Sequence, residues 1–118
     1  MVDPAYLVGA GAALGAVLRF ATGRYVGGVA GDRPFPYGTF TVNVVGSFVL
    51  ALVTFLGAGG DVLLFVGTGA CGSYTTFSSF SVDTVRLWET GERRLAVWYA
   101  GANLLGALVG IGAAALLV

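Results

Sequence analysis

The sequence predicts an all-α membrane protein with four transmembrane helices, the third of them broken. Of its 118 residues, 57% are hydrophobic and 10% are charged, whereas soluble domains carry about 25% charged residues. The apolar residues fall into four long runs separated by short polar connections. The third run contains a stretch rich in glycine and hydroxyl side chains, residues 67–81, which hydrocarbon does not tolerate facing lipid. The length favours a single domain, residues 1–118.

The first predicted span runs from about Ala5 to the low twenties. Arg19 interrupts it before the roughly 20 apolar residues that a span needs. The helix therefore either carries Arg19 near an interface or continues past it toward Gly27. Gly11 and Gly15 form a small-xxx-small pair, which lets a second helix approach closely.

The second predicted span runs from about Tyr37 to Leu56, after a proline-containing turn. It has no charge, but Asn43 lies near its middle. Asn43 could form a helix–helix hydrogen bond, worth about 0.6 kcal/mol in membranes. It could equally present an amide donor to an anion in a pore. Thr39, one helical turn earlier on the same face, favours the polar path.

The third predicted span, from about Val62 to Val85, breaks between Gly72 and Thr75. A break frees backbone carbonyls, which must bind water, a hydroxyl or a monovalent cation. Beyond it, Phe77 and Phe80 share one face of the helix. Aromatic ring edges are electropositive and can meet an anion side-on. Thr76 and Ser79 repeat the same spacing on a neighbouring face and add hydroxyl donors.

The fourth predicted span runs from about Leu95 to Val118, follows a charged connection and carries Asn103. All six basic residues are arginines, and all lie in or beside the first and third connections. By the positive-inside rule these connections are cytoplasmic and both termini are outside.

Composition also excludes several classes of function. The net charge is zero and there is no basic patch, so we expect no nucleic-acid binding. The chain has no histidine and Cys71 is its only cysteine, which excludes an internal disulfide or a Cys/His metal site. The GxGxxG pattern at residues 67–72 lacks the βαβ context that a dinucleotide site requires.

Three motifs, in order along almost the whole chain, resemble those of the small fluoride channels, the Fluc or CrcB family. GAGAALGAVLRF at residues 9–20 is similar to the family's first-helix glycine–arginine pattern. GTFTVNVVGSF at residues 38–48 resembles its VNxxGSF motif. GACGSYTTFSSF at residues 69–80 resembles its broken third helix, usually GxxGxxTTFSTF.

This resemblance implies an antiparallel dimer of four-helix subunits, two fluoride pores and a central structural sodium ion. It implies that the carbonyls of Gly72 and Thr75 hold the sodium ion. The fluoride-pore residues that it implies are Asn43, Phe77, Phe80, Thr39, Ser79, Tyr99 and Asn103. Three positions depart from the family pattern. Ser79 replaces a threonine, Asn103 stands where serine is common, and Ala107 stands where a hydroxyl is frequent.

We therefore expect a channel in the cell membrane, and not an enzyme, that carries fluoride passively out of the cell and lowers its toxicity in the cytoplasm. One alternative is a small four-helix multidrug exporter, which needs a membrane-embedded carboxylate. The acidic residues here lie at termini, connections or span ends. Another alternative is a partner subunit of a heterodimeric fluoride channel. The arginine asymmetry favours insertion mainly in one orientation and pairing with an oppositely oriented paralogue, although a homodimer is also compatible with the sequence.

Overall fold

The computed structural model describes residues 2–118, in which all regular secondary structure is helical. We label the helices α1 to α5 in chain order, with α3 covering residues 60–74. Helix α1 spans Pro4–Ala30, α2 spans Tyr37–Phe55, α4 spans Phe77–Glu89 and α5 spans Arg93–Leu117. Helix α3 consists of three consecutive segments, Gly60–Val62, Leu63–Cys71 and Gly72–Tyr74.

Helices α1, α2 and α5 are each long and apolar enough to cross a membrane. This confirms the all-helical membrane fold. Helix α1 continues past Arg19 to Ala30, which is the longer of the two sequence alternatives. The Asp3 carboxylate caps its start by accepting from the Ala5 N–H at 2.8 Å, and Gly31, at φ 66°, ends it.

The third predicted span is divided into α3 and α4, as the sequence indicated, but its details differ. Residues Leu63–Cys71 form a π-helix, which the sequence did not predict. Gly72 remains helical, at φ −61° and ψ −35°, so the break begins at Thr75 rather than at Gly72. Helix α4 continues to Glu89, past the predicted end near Val85.

Glycines bring the backbones of α1 and α3 into direct contact. A Cβ added at Gly11 would collide with the carbonyl oxygen of Phe65, and one added at Gly15 would collide with that of Ala70. From the other side, a Cβ on Gly69 would lie 2.7 Å from the carbonyl oxygen of Val8. The close helix approach predicted from Gly11 and Gly15 is therefore confirmed, and α3 is the partner.

Helix α5 packs on both α2 and α4. Gly106 and Gly110 lie against Val44 of α2, where a Cβ would approach to 2.7 and 3.1 Å respectively. On the α4 side, Leu87, Ala96 and Tyr99 form the buried core. These two contacts place the middle of α5 beside the break between α3 and α4.

Gly11→Ala should destabilise the fold, because the added methyl group has no space against the α3 backbone. Overpacking of this kind costs about 1–3 kcal/mol. The matched control is Gly9→Ala, where nothing lies within 4 Å of the new Cβ. In detergent, we expect a melting temperature several degrees lower for Gly11→Ala and unchanged or higher for Gly9→Ala, because alanine favours helix. Equal melting temperatures for both variants would contradict the packing described here.

Candidate functional site

The chain leaves helical geometry at two consecutive residues in the middle of the third segment. Thr75 has φ −78° and ψ 159°, and Thr76 has φ −149° and ψ 118°. Both are extended, and α4 begins immediately afterwards. The Thr76 hydroxyl caps α4 by accepting from the Ser79 N–H at 3.1 Å, which is the usual role of threonine at this position.

The Asn43 side chain binds both polar groups of Thr76. Its Oδ1 accepts from the Thr76 N–H at 2.8 Å, and its Nδ2 donates to the Thr76 carbonyl at 3.2 Å. The other Nδ2 hydrogen is donated to Oδ1 of Asn103 at 3.0 Å. Asn43 thereby satisfies a stretch of backbone that has no helical partners.

The same bonds release two carbonyl oxygens. In a continuous α-helix the Thr76 N–H would bond the Gly72 carbonyl, but here it donates to Asn43. Likewise the Ser79 N–H, the helical partner of the Thr75 carbonyl, donates to the Thr76 hydroxyl. Gly72 and Thr75 line one cavity, so both released carbonyls belong to residues at the same site.

This cavity, of about 600 Å³, lies on the open face of α2, α3 and α5. All the side chains that line it are uncharged. It brings together six of the residues singled out from the sequence, namely Asn43, Gly72, Thr75, Phe77, Phe80 and Asn103.

Two phenylalanines give the cavity an aromatic wall. The ring centroids of Phe77 and Phe80 lie 5.8 Å apart. Phe80 packs on the buried ring of Tyr99 at 5.6 Å, whereas Phe77 is 80% exposed. Phe80 is thus fixed to the core, while Phe77 has few neighbours within the chain.

Of the three remaining predicted residues, Thr39 and Ser79 lie on the other side of the break, whereas Tyr99 is fully buried and lines neither cavity. Thr39 and Ser79 line a second cavity of about 490 Å³, together with Arg19 and Arg24. Thr76 lines both cavities, so the broken segment separates them. The structure therefore places six of the predicted residues at the first cavity, two at the second and Tyr99 in the core.

Asp83 lines the second cavity and connects Thr39 to the buried Tyr99, and sequence reasoning missed it. Its Oδ2 accepts from the Thr39 hydroxyl at 2.9 Å and from the Tyr99 hydroxyl at 3.1 Å. The sequence analysis placed Asp83 at a span end, but it lies within α4 and is half-buried. A usable signal was present, because Asp83 follows Ser79 by one helical turn on the hydroxyl-bearing face.

Comparison with known proteins adds an independent result. The profile of the family described as CrcB-like protein, Camphor Resistance (CrcB), matches residues 6–115. The chain belongs to the CrcB family. This confirms the resemblance drawn from the three motifs, and it makes the chain a multi-pass membrane protein.

Several relatives of this CrcB-family chain are similar to it over nearly its full length. Fluoride-specific ion channel FluC 2 of Haloarcula marismortui is 58% identical, over 96% of this chain and 92% of the relative. Fluoride-specific ion channel FluC 1 of Halobacterium salinarum is 51% identical, over 100% of this chain and 96% of the relative. Fluoride-specific ion channel FluC 1 of Streptomyces avermitilis is 46% identical, over 92% of this chain and 87% of the relative.

The donor set at the break of this CrcB-family chain suits a hard monovalent cation. Hard cations take oxygen ligands, including backbone carbonyls, and the Gly72 and Thr75 carbonyls have lost their helical donors. Among residues 2–118, no cluster of His, Cys, Asp or Glu offers a competing metal site. The residues present therefore fit the sodium ion implied by the family resemblance.

Replacing Asn43 with the similarly shaped leucine should loosen the break. Asn43→Leu removes both bonds to Thr76, and unpaired peptide groups open more readily. By hydrogen-exchange mass spectrometry in detergent, we expect peptides covering residues 72–80 to exchange about tenfold faster. The control is Thr41→Val, which removes only a bond to the Tyr37 carbonyl within α2. Unchanged exchange in Asn43→Leu would contradict a backbone-holding role.

Proposed function

We propose that this chain is a subunit of a fluoride-specific ion channel that carries fluoride passively across the cell membrane and out of the cytoplasm. The observation that carries the proposal is the cavity at the broken helix, where uncharged amide, hydroxyl and aromatic groups meet. Relatives named fluoride-specific ion channels, up to 58% identical over nearly the whole chain, support the same ion. No step of this transport makes or breaks a covalent bond.

The chemistry of the cavity suits a small, strongly hydrated anion. Such an ion enters only where dense donors replace its water, and it leaves only if no fixed positive charge traps it. Hydroxyls and ring edges meet both requirements. An inside-negative potential then drives an anion outward by about 2.3 kcal/mol per 100 mV.

Two subunits in antiparallel orientation would complete the site. In this arrangement α3 and α4 together form the third of four membrane spans in each subunit. The open face at residues 72–80 then meets the partner, and Phe77 gains the neighbours that it lacks in the single chain. The carbonyls of Gly72 and Thr75, repeated in the partner, would enclose one structural sodium ion.

Orientation bears on the identity of that partner. Arginines that all lie in or beside the first and third connections favour cytoplasmic placement of both connections and external termini. A chain that inserts mainly one way needs an oppositely oriented partner, so we propose a heterodimer with a paralogue. A homodimer forms instead if antiparallel assembly captures chains of the minor orientation.

Liposomes containing the protein should release fluoride and retain chloride. Phe77→Leu and Phe80→Leu should each slow fluoride release about tenfold or more, because leucine lacks the electropositive ring edge. The control is Phe55→Leu at the end of α2, remote from both cavities. Ion-selective electrodes follow each anion. Chloride release at a rate similar to that of fluoride would refute the proposal, as would wild-type rates in both cavity variants.

The same assay distinguishes a channel that requires a paralogue as its partner from a protein that is not a fluoride channel. The chain alone would then release little fluoride, and co-reconstitution with the paralogue would restore the release. Absence of release in both preparations would exclude a fluoride channel.

Sodium should be required for a stable assembly, because the freed carbonyls need a ligand. Protein purified in choline or N-methylglucamine salts should show a lower melting temperature and slower fluoride release than protein purified in sodium. Returning sodium should restore both properties, whereas choline at equal ionic strength should not. Identical behaviour in all three salts would count against the sodium site.

A further inference from the structure

The two carboxamide side chains of the chain meet each other. Asn43 and Asn103 are its only asparagines, and it has no glutamine. They are 60 positions apart on α2 and α5, yet Nδ2 of Asn43 donates to Oδ1 of Asn103 at 3.0 Å. Asn103 also forms a hydrogen bond within its own helix, because its Nδ2 donates to the Tyr99 carbonyl at 2.9 Å.

These bonds fix which way each amide points. The Tyr99 carbonyl can only accept, so it requires the NH₂ end of Asn103 and turns Oδ1 toward Asn43. That oxygen, together with the Thr76 carbonyl, requires the NH₂ end of Asn43. The remaining Asn43 oxygen then faces the Thr76 N–H. If either side-chain amide were flipped, its oxygen would face another acceptor oxygen and a hydrogen bond would be lost.

Asn103 is poorly placed to act on an anion directly. It is 6% exposed, and the atom that it turns toward Asn43 is an acceptor, which repels an anion. Asn43 is half-buried and lines the same cavity as Asn103. The hydrogen bonds therefore give Asn103 a route to the cavity through Asn43 and the Thr76 peptide.

We infer that Asn103 is a positioning residue, which orients the Asn43 amide and so sets the shape of the broken segment through which fluoride passes. The inference rests on the proposed fluoride-channel function for its transport consequence. It assigns Asn103 a different role from the direct pore donor that the sequence suggested.

The test combines a spectroscopic signature of Asn43 with transport by the same variants. In protein with ¹⁵N-labelled asparagine in lipid, solid-state NMR should resolve two side-chain amides. Asn103→Leu, similar in shape, leaves only that of Asn43, which should shift and broaden. Fluoride release should fall about tenfold, as expected for loss of a buried hydrogen-bond partner.

Two further variants calibrate the result. Asn103→Ser keeps a polar acceptor nearer the backbone and should give intermediate values for both readouts. Leu105→Ala shortens an exposed side chain two positions along α5 and should change neither. If Asn103→Leu does not assemble, Asn103→Ala replaces it, and we again expect a shifted Asn43 amide signal and slower fluoride release.

The outcomes separate this inference from the proposed function. Slow fluoride release with an unchanged Asn43 signal would overturn the inference and make Asn103 a direct pore group. A shifted Asn43 signal with wild-type release, or no change in either readout, would also overturn it. If the wild-type protein releases no fluoride, alone or with a paralogue, the proposed function fails, while an unchanged Asn43 signal in Asn103→Leu would still refute the positioning role.

Discussion

A helix can be broken within a membrane only if the freed peptide groups find partners, and here the Asn43 carboxamide is that partner. Its oxygen and its NH₂ group bind the N–H and the carbonyl of Thr76. Because the Thr76 N–H is thus engaged, the Gly72 carbonyl is released. Because the Thr76 hydroxyl caps α4, the Thr75 carbonyl is released as well. One side chain and one cap therefore produce both the fold of the third segment and its available oxygens.

The surrounding packing keeps this arrangement in place. On one side, glycines of α1 let the backbone of α3 lie directly against it, and the Ser73 hydroxyl donates to the Ala12 carbonyl at 2.6 Å. On the other side, α5 carries Tyr99 and Asn103, which contact Asp83 and Asn43 respectively. The uncharged cavity and the arginine-bearing cavity lie on opposite sides of the break. Arg19, Arg24 and Asp83 line the second cavity, whereas no charged side chain lines the first, where arginine would trap an anion.

The sequence predicted the helices and the break well, because both depend on local composition. Runs of apolar residues locate α1, α2 and α5, and the glycine-to-hydroxyl transition locates the break to within a few residues. The π-helix at Leu63–Cys71 was missed because it accompanies contacts with α1, which lies about 50 residues earlier in the chain. Asp83 was missed for a similar reason, as was Asn103 as the partner in the helix–helix hydrogen bond that the sequence allowed for Asn43. Each depends on residues brought together by the packing of α2, α4 and α5, and periodicity along one helix carries no information about such partners.

The central claim is that the uncharged path beside the broken helix conducts fluoride and rejects chloride. The most direct measurement is the reversal potential of the protein in a planar bilayer, alone or with its paralogue, with unequal fluoride concentrations on the two sides and chloride varied on one of them. The account predicts a current whose reversal potential follows the fluoride gradient and does not respond to chloride concentration. A reversal potential that moves with chloride, or no fluoride current from any assembled form, would contradict it.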